Sequence, residues 1–155
     1  MLLYKQIAFA GPLKEGLAVM GFPEPKDREL KELLIPGFGF SWRKAAQTLG
    51  TEWGRSLQGD IWLAITKERC RTMPYDRIVI TDVRFHNEAD WVRENGLLVH
   101  VVGRQATMVG DEAKHASEHG IRYAPGDYTI HNTGTPAELM ARVQELQVFL
   151  QDAAK

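Results

Sequence analysis

Arg77-Ile-Val-Ile-Thr-Asp-Val-Arg-Phe-His-Asn-Glu-Ala89 is the stretch from which the fold is best read. Ile78, Val79 and Ile80 are consecutive and β-branched, a pattern that suits a strand buried on both faces of a parallel sheet. Residues 77–82 are therefore expected to form a strand that ends on a carboxylate, Asp82. Arg84, Asn87 and Glu88 follow at once, and a helical pattern over Asn87–Asn95 stops at Gly96. A strand that delivers an acid and then turns into a helix is the unit of an open α/β sheet, whose ligands gather at the carboxyl ends of the strands.

The same grammar extends outward. Downstream, Leu97–Val102 and the shorter Tyr128–His131 read as further strands, closed by Gly103 and by Asn132-Thr-Gly134. Pro136–Asp152 reads as a terminal helix capped by Thr135, with Pro136 at the first helical position, where its missing N–H costs nothing. Leu139, Val143, Leu146 and Leu150 share one face of it. Upstream, helices are expected over Pro12–Met20, from Trp42 to about Leu49 with Ser41 as N-cap, and over Asp60–Thr72. Leu2–Ala10 is a candidate fourth strand. No internal repeat or low-complexity tract interrupts this order, so residues 1–155 are read as one domain with a lid-like segment at about 104–120.

Composition narrows the function. The chain has 155 residues, 44% apolar and 25% charged, with a formal net charge of −1. Such a balance argues against a polymer-coating nucleic-acid binder; phosphate binding would have to come from local arginines. No apolar run approaches the roughly 18 residues of a bilayer span, and Met1–Gly11 lacks the layout of a signal peptide. A cytoplasmic protein without membrane contact is expected. The single cysteine, Cys70, reads as a half-buried helix residue rather than a catalytic thiol.

Four constellations could carry chemistry. Asp82 could bind Mg²⁺ or accept a substrate proton, with Arg84 clamping a phosphate; a helix cap by Asp82 or Asn87 is the plainer reading. Trp42-Arg-Lys and Gly50-Thr-Glu-Trp-Gly-Arg55 offer tryptophan faces for a base, arginines for its phosphate and glycines for close approach; the plainer reading is a packing corner with Trp53 buried. Arg104, Lys114 and His115 suit a basic lid. His115 and His119 stand one helical turn apart without a clear third ligand, so zinc is not expected. Ile130–Thr135 is turn and cap chemistry that could also lie against a purine.

Taken in order, Phe9-Ala-Gly-Pro-Leu-Lys14, Leu49-Gly-Thr-Glu-Trp-Gly-Arg55, Asp60-Ile-Trp62, Thr81-Asp-Val-Arg-Phe-His-Asn-Glu-Ala89, His115-Ala-Ser-Glu118 and Asn132-Thr-Gly-Thr135 resemble the phage-type deoxynucleoside monophosphate kinases. That family belongs to the P-loop kinase superfamily, with dephospho-coenzyme A kinase as a more distant relative. The resemblance runs from about residue 7 to residue 150, and its second and fourth blocks are the specific ones. It implies a three-layer, P-loop-kinase-like parallel sheet flanked by helices, and phosphoryl transfer from ATP to a deoxynucleoside monophosphate with Mg²⁺. By position, Asp82 becomes the metal- or substrate-side carboxylate. Arg84, Arg43 and Arg55 become arms for the acceptor phosphate, and Thr51, Glu52 and Trp53 shape the acceptor pocket beside Asn87 and Glu88. Arg104, His115 and Glu118 belong to the lid, and Asn132 and Gly134 to the adenine side.

The chain also departs from the family. No G-x-x-x-x-G-K-[ST] occurs in it, and Gly11 stands where the family usually has an acidic residue. The first, central strand of the sheet is thus expected to be missing or replaced, by Leu2–Ala10 or by a partner chain. A reduced strand–loop–helix over Ile7–Lys14, with Lys14 near phosphate, is the local alternative. Two readings stand beside an active kinase: a nucleotide-binding descendant without turnover, and a chain that starts at an internal methionine of a longer product. An incomplete sheet also makes a homodimer conceivable.

Overall fold

Parallel pairing of short strands organises both halves of the computed structural model, which describes residues 4–75, 77–103 and 120–152. The chain divides into two compact units, Met1–Val83 and Arg84–Lys155, each described by itself.

In the first unit, β1 (Lys5–Ile7) pairs in parallel with β2 (Ile78–Ile80), Lys5 opposite Ile78 and Ile7 opposite Ile80. Leu2–Ala10 therefore does contribute a strand, shorter than expected. Among the described residues the two strands are joined by helices and loops, with one isolated antiparallel bridge between Leu34 and Ser41, because parallel neighbours need a long crossover. The crossover contains α1 (Gly11–Val19), a single 3₁₀ turn (Glu29–Lys31), α2 (Trp42–Gln47), a π-helical stretch (Thr48–Gly54), α3 (Arg55–Leu57) and α4 (Ile61–Thr72). Ser41 caps α2 as its sequence foretells, its hydroxyl accepting from the Lys44 N–H at 3.2 Å.

Leu13 and Leu17 of α1, Trp42 of α2 and Trp62 of α4 form the core, with Phe22, Ile35, Leu49 and Ile65 packed around them. Each such side chain contributes about 1.5–3 kcal/mol on burial. Both buried tryptophans keep their indole N–H satisfied: Trp42 donates to the Phe22 carbonyl at 3.0 Å and Trp62 to the Gly50 carbonyl at 2.6 Å.

In the second unit, α5 (His86–Asn95) leads to β3 (Val99–Gly103), which pairs in parallel with β4 (Tyr128–Asn132), and α6 (Pro136–Asp152) follows. Ala89, Leu98 and Ile130 are its buried apolar residues. Thr135 and Glu138 cap α6 reciprocally, the Glu138 N–H donating to the Thr135 hydroxyl at 3.3 Å and the Thr135 N–H to the Glu138 carboxylate at 2.6 Å. Leu139, Leu146 and Leu150 are half-buried, whereas Val143 remains exposed.

Two expectations need correction. The apolar runs are not buried on both faces: Val79, Val101 and Val102 are exposed. Among the described residues each sheet has two strands. The helix from Trp42 does not end near Leu49 but runs on through the π-helical stretch into α3.

Candidate active site

Asp82 lies just past β2, where the alternation of Ile78–Ile80 leaves a carboxylate at the strand's carboxyl edge. Its Oδ1 accepts the Phe9 N–H at 2.7 Å and its Oδ2 the Ala10 N–H at 2.9 Å. These two amides lead into α1, so one carboxylate closes the turn between β1 and α1 and offsets the positive end of that helix. Asp82 is not a helix N-cap, contrary to the plainer reading: it closes the turn that leads into α1, more than 70 residues earlier in the chain. The residue at the N-cap of α5 is Phe85, not Asn87. Each Asp82 oxygen keeps lone-pair capacity beyond its backbone bond. The half-buried carboxylate can therefore still meet a cation or a substrate proton.

The Gly50–Arg55 block is wound as the π-helical stretch, a geometry that widens the helix and recurs at functional sites. Its glycines are there for packing. A Cβ on Gly50 would lie 2.6 Å from Leu13 Cδ1, and one on Gly54 would lie 2.7 Å from Trp62 Cζ2 and 3.0 Å from the Leu49 carbonyl. The two tryptophans part ways, and the plainer reading's buried Trp53 is not what is found. Trp42 is buried in the core and unavailable for stacking, while Trp53, 52% exposed, presents an open ring. Residues 51–53 thus project from a helical turn pinned from beneath by Gly50 and Gly54.

The charged candidates of this unit are tied into pairs. Lys14 reaches the Glu24 carboxylate at 3.1 Å, and Lys31 holds the other oxygen at 2.5 Å. Burial alone would raise the Glu24 pKa, but hydrogen bonds from Lys31 and Lys14 outweigh it and leave the group more acidic than an ordinary glutamate. Arg43 forms an ion pair with Glu32. Glu52 accepts from Lys44 at 3.0 Å. Arg55 donates to the Gly59 carbonyl at 2.8 Å. Cys70 is half-buried on α4 and its thiol pKa is raised by burial, which suits an inert side chain.

In the second unit, Glu88 is buried and accepts the backbone N–H groups of Arg84 and Phe85 at 3.0 and 3.1 Å, holding the first turn of α5. Asn87 is half-buried in that turn, and the Arg84 side chain is exposed. Asn132 ends β4 and Gly134 precedes the α6 cap, both exposed. Arg104, His115 and Glu118 lie outside the described residues.

Sequence reasoning missed the strongest electrostatic feature of this unit. Asp127, its side chain 1% exposed, takes a fork from Arg93 at 3.0 and 2.8 Å, His100 Nε2 at 2.8 Å and the Ala124 N–H at 2.9 Å. Arg93 above all, then His100 and the amide, hold the Asp127 carboxyl far below the usual carboxylate range despite its burial. The only signal in the sequence was the turn pair Pro125-Gly126 ahead of it. Among the described residues no group of three or more His, Cys, Asp or Glu could hold a metal ion on its own, and no helix is long and apolar enough to cross a membrane.

Comparison with known proteins supplies what geometry alone does not. Residues 26–143 match the family model described as deoxynucleotide monophosphate kinase. Over 116 residues the chain is 37% identical to the deoxynucleoside-5'-monophosphate kinase of Escherichia phage T5, a match covering 70% of this chain and 45% of that protein. The chain therefore spans less than half the length of this curated relative.

Proposed function

The chain belongs to the deoxynucleotide monophosphate kinase family, and from that premise we propose that it serves phosphoryl transfer from ATP to a deoxynucleoside monophosphate. The observation that carries the reading is the position of Asp82, a partly accessible carboxylate at a strand's carboxyl edge, fixed by two backbone amides. Phosphoryl transfer asks the protein for positioning and for charge around the moving group rather than for covalent chemistry.

In this reading Asp82 faces the metal or the acceptor. Mg²⁺ fits a site with one carboxylate, because it keeps waters and takes its remaining ligands from nucleotide phosphates. When bound it neutralises charge developing on the transferred group. Trp53 stacks on the acceptor base, with Thr51 and Glu52 beside it on the π-helical turn. Arg43, Arg55 and Arg84 serve the acceptor phosphate, and Asn87 and Glu88 count among the substrate-binding residues. Arg104, His115 and Glu118 cover the phosphates, while Asn132 and Gly134 lie on the adenine side. The finer architecture this requires is the three-layer parallel sheet of the P-loop kinases.

A coupled assay offering ATP with each of the four deoxynucleoside monophosphates tests the proposal. Turnover that falls at least 100-fold in Asp82→Asn is expected, and no turnover from folded protein at high concentration sinks it. A second reading, nucleotide binding without transfer, is favoured by the engagement of Lys14 with Glu24. Calorimetry separates the two: the second reading requires monophosphate binding with little affinity for Mg²⁺–ATP.

A further inference from the structure

A cavity of about 450 Å³ opens in the first unit, lined in succession by Lys5, Gln6, Ile7 and Ala8 and then by Gly11 at the start of α1. One face of a strand presents alternate residues only, so four in a row mark an edge. The pairing identifies which edge. The Lys5 N–H donates to the Arg77 carbonyl at 2.9 Å and the Ile7 carbonyl accepts from the Thr81 N–H at 3.3 Å, so both residues face β2. By alternation the N–H and C=O of Gln6 face the other way, where no strand is paired among the described residues. The far wall comes from helices: Glu15 on α1, Thr66 and Arg69 on α4. Thr66 is 1% exposed, and its hydroxyl has no hydrogen-bond partner among the described residues. A buried polar group in that state is costly, and a ligand that hydrogen-bonds it would relieve the cost.

We propose that this cavity receives an extended acidic segment of a partner polypeptide, which adds to the outer edge of β1 as a third strand. The three residues of β1 span roughly 10 Å, the reach of a short β-augmenting peptide whose main chain would pair with Gln6. Charge selects the partner. Arg69 and Glu15 form a bidentate pair at 2.8 and 2.5 Å and are neutral together. Lys5 lies over the Tyr75 ring at 5.6 Å and meets no carboxylate among the described residues, so it leaves the cavity net positive. A lysine on an edge strand repels indiscriminate pairing, and an acidic side chain on the incoming segment turns that repulsion into selectivity. A compact oxyanion could satisfy Lys5 but would leave the Gln6 main chain unpaired. This proposal does not depend on kinase activity.

Backbone amide NMR on the full chain tests it, with capped Val-Glu-Val-Asp-Val and Val-Lys-Val-Lys-Val peptides and inorganic phosphate as probes. Saturable shifts at Gln6, Thr66 and Arg69 are expected with the acidic peptide, with binding at least tenfold weaker for the basic one. Lys5→Glu should invert that preference. Gln6→Pro removes the outward N–H, which an edge strand tolerates, together with an exposed 3.5 Å side-chain hydrogen bond to Thr81, and should abolish binding while the spectrum stays dispersed. If that variant does not fold, the charge inversion decides. Equal binding of both peptides, no saturable shift with the acidic one, or displacement of the peptide by phosphate at these same amides would each overturn the proposal.

Discussion

In Met1–Val83 the motif-bearing helical turn closes on its neighbours through missing side chains, whereas in Arg84–Lys155 the strands are tied to a helix through charge. Gly50 and Gly54 let the π-helical stretch sit directly on Leu13 and Trp62. Arg93 of α5, His100 of β3 and Asp127 beside β4 instead converge on one buried carboxylate. The first contact is a matter of volume and should be indifferent to pH. The second is a matter of ionisation and should tolerate changes of shape that preserve the charges. A contact built from excluded volume fails when an atom is added; one built from buried charge fails when a partner is removed.

The largest expected effect breaks the charged side of that contrast. Arg93→Met leaves Asp127 buried without its main partner and should cost about 3 kcal/mol, read from chemical denaturation. The volume side should break with Gly54→Ala, which puts a methyl against the Trp62 ring and the Leu49 carbonyl. A loss of about 2 kcal/mol is expected, net of the helix propensity of alanine. Gly50→Ala should cost less, because the atom it meets is the movable end of Leu13. A Gly54→Ala protein as stable as the parent would show that close packing there is not what holds the turn.

Acid sharpens the comparison further. The Asp127 pKa is lowered in the folded state, so its stabilisation is complete above the ordinary aspartate value of about 3.9 and fades as pH falls from there towards the folded value. Melting temperatures followed from pH 7 down to pH 3 should therefore fall less steeply in Asp127→Asn, which lacks that linkage, than in the parent. Gly54→Ala should lower the whole curve without changing its slope. The smallest effect is Thr135→Ala, which removes the α6 cap, far from the Arg93–Asp127 cluster in sequence, and should cost about 0.5–1 kcal/mol near pH 7, where Glu138 is ionised.

Much of this was legible in the chain itself, because it rests on neighbours in sequence. The strand just ahead of Asp82, the caps at Ser41 and Thr135 and the span Pro136–Asp152 all follow from local rules of periodicity and hydrogen bonding, and the ordered motifs pointed to the family that the comparisons bear out. What Asp82 touches was not legible. Its partners, Phe9 and Ala10, are more than 70 residues away, and no local pattern encodes a contact that arises only when β1 and β2 pair. Nor did composition distinguish a buried Trp42 from an exposed Trp53, since both sit in the same kind of helical surroundings and differ only in which neighbour covers them. The cluster on Asp127 was hidden for the same reason: its three side chains are scattered over 35 residues and acquire meaning only where α5, β3 and the turn before β4 meet. The sequence alone therefore determined the local elements and the family; tertiary structure decided which charges are spent on the fold, because burial and long-range pairing depend on what the rest of the chain brings alongside.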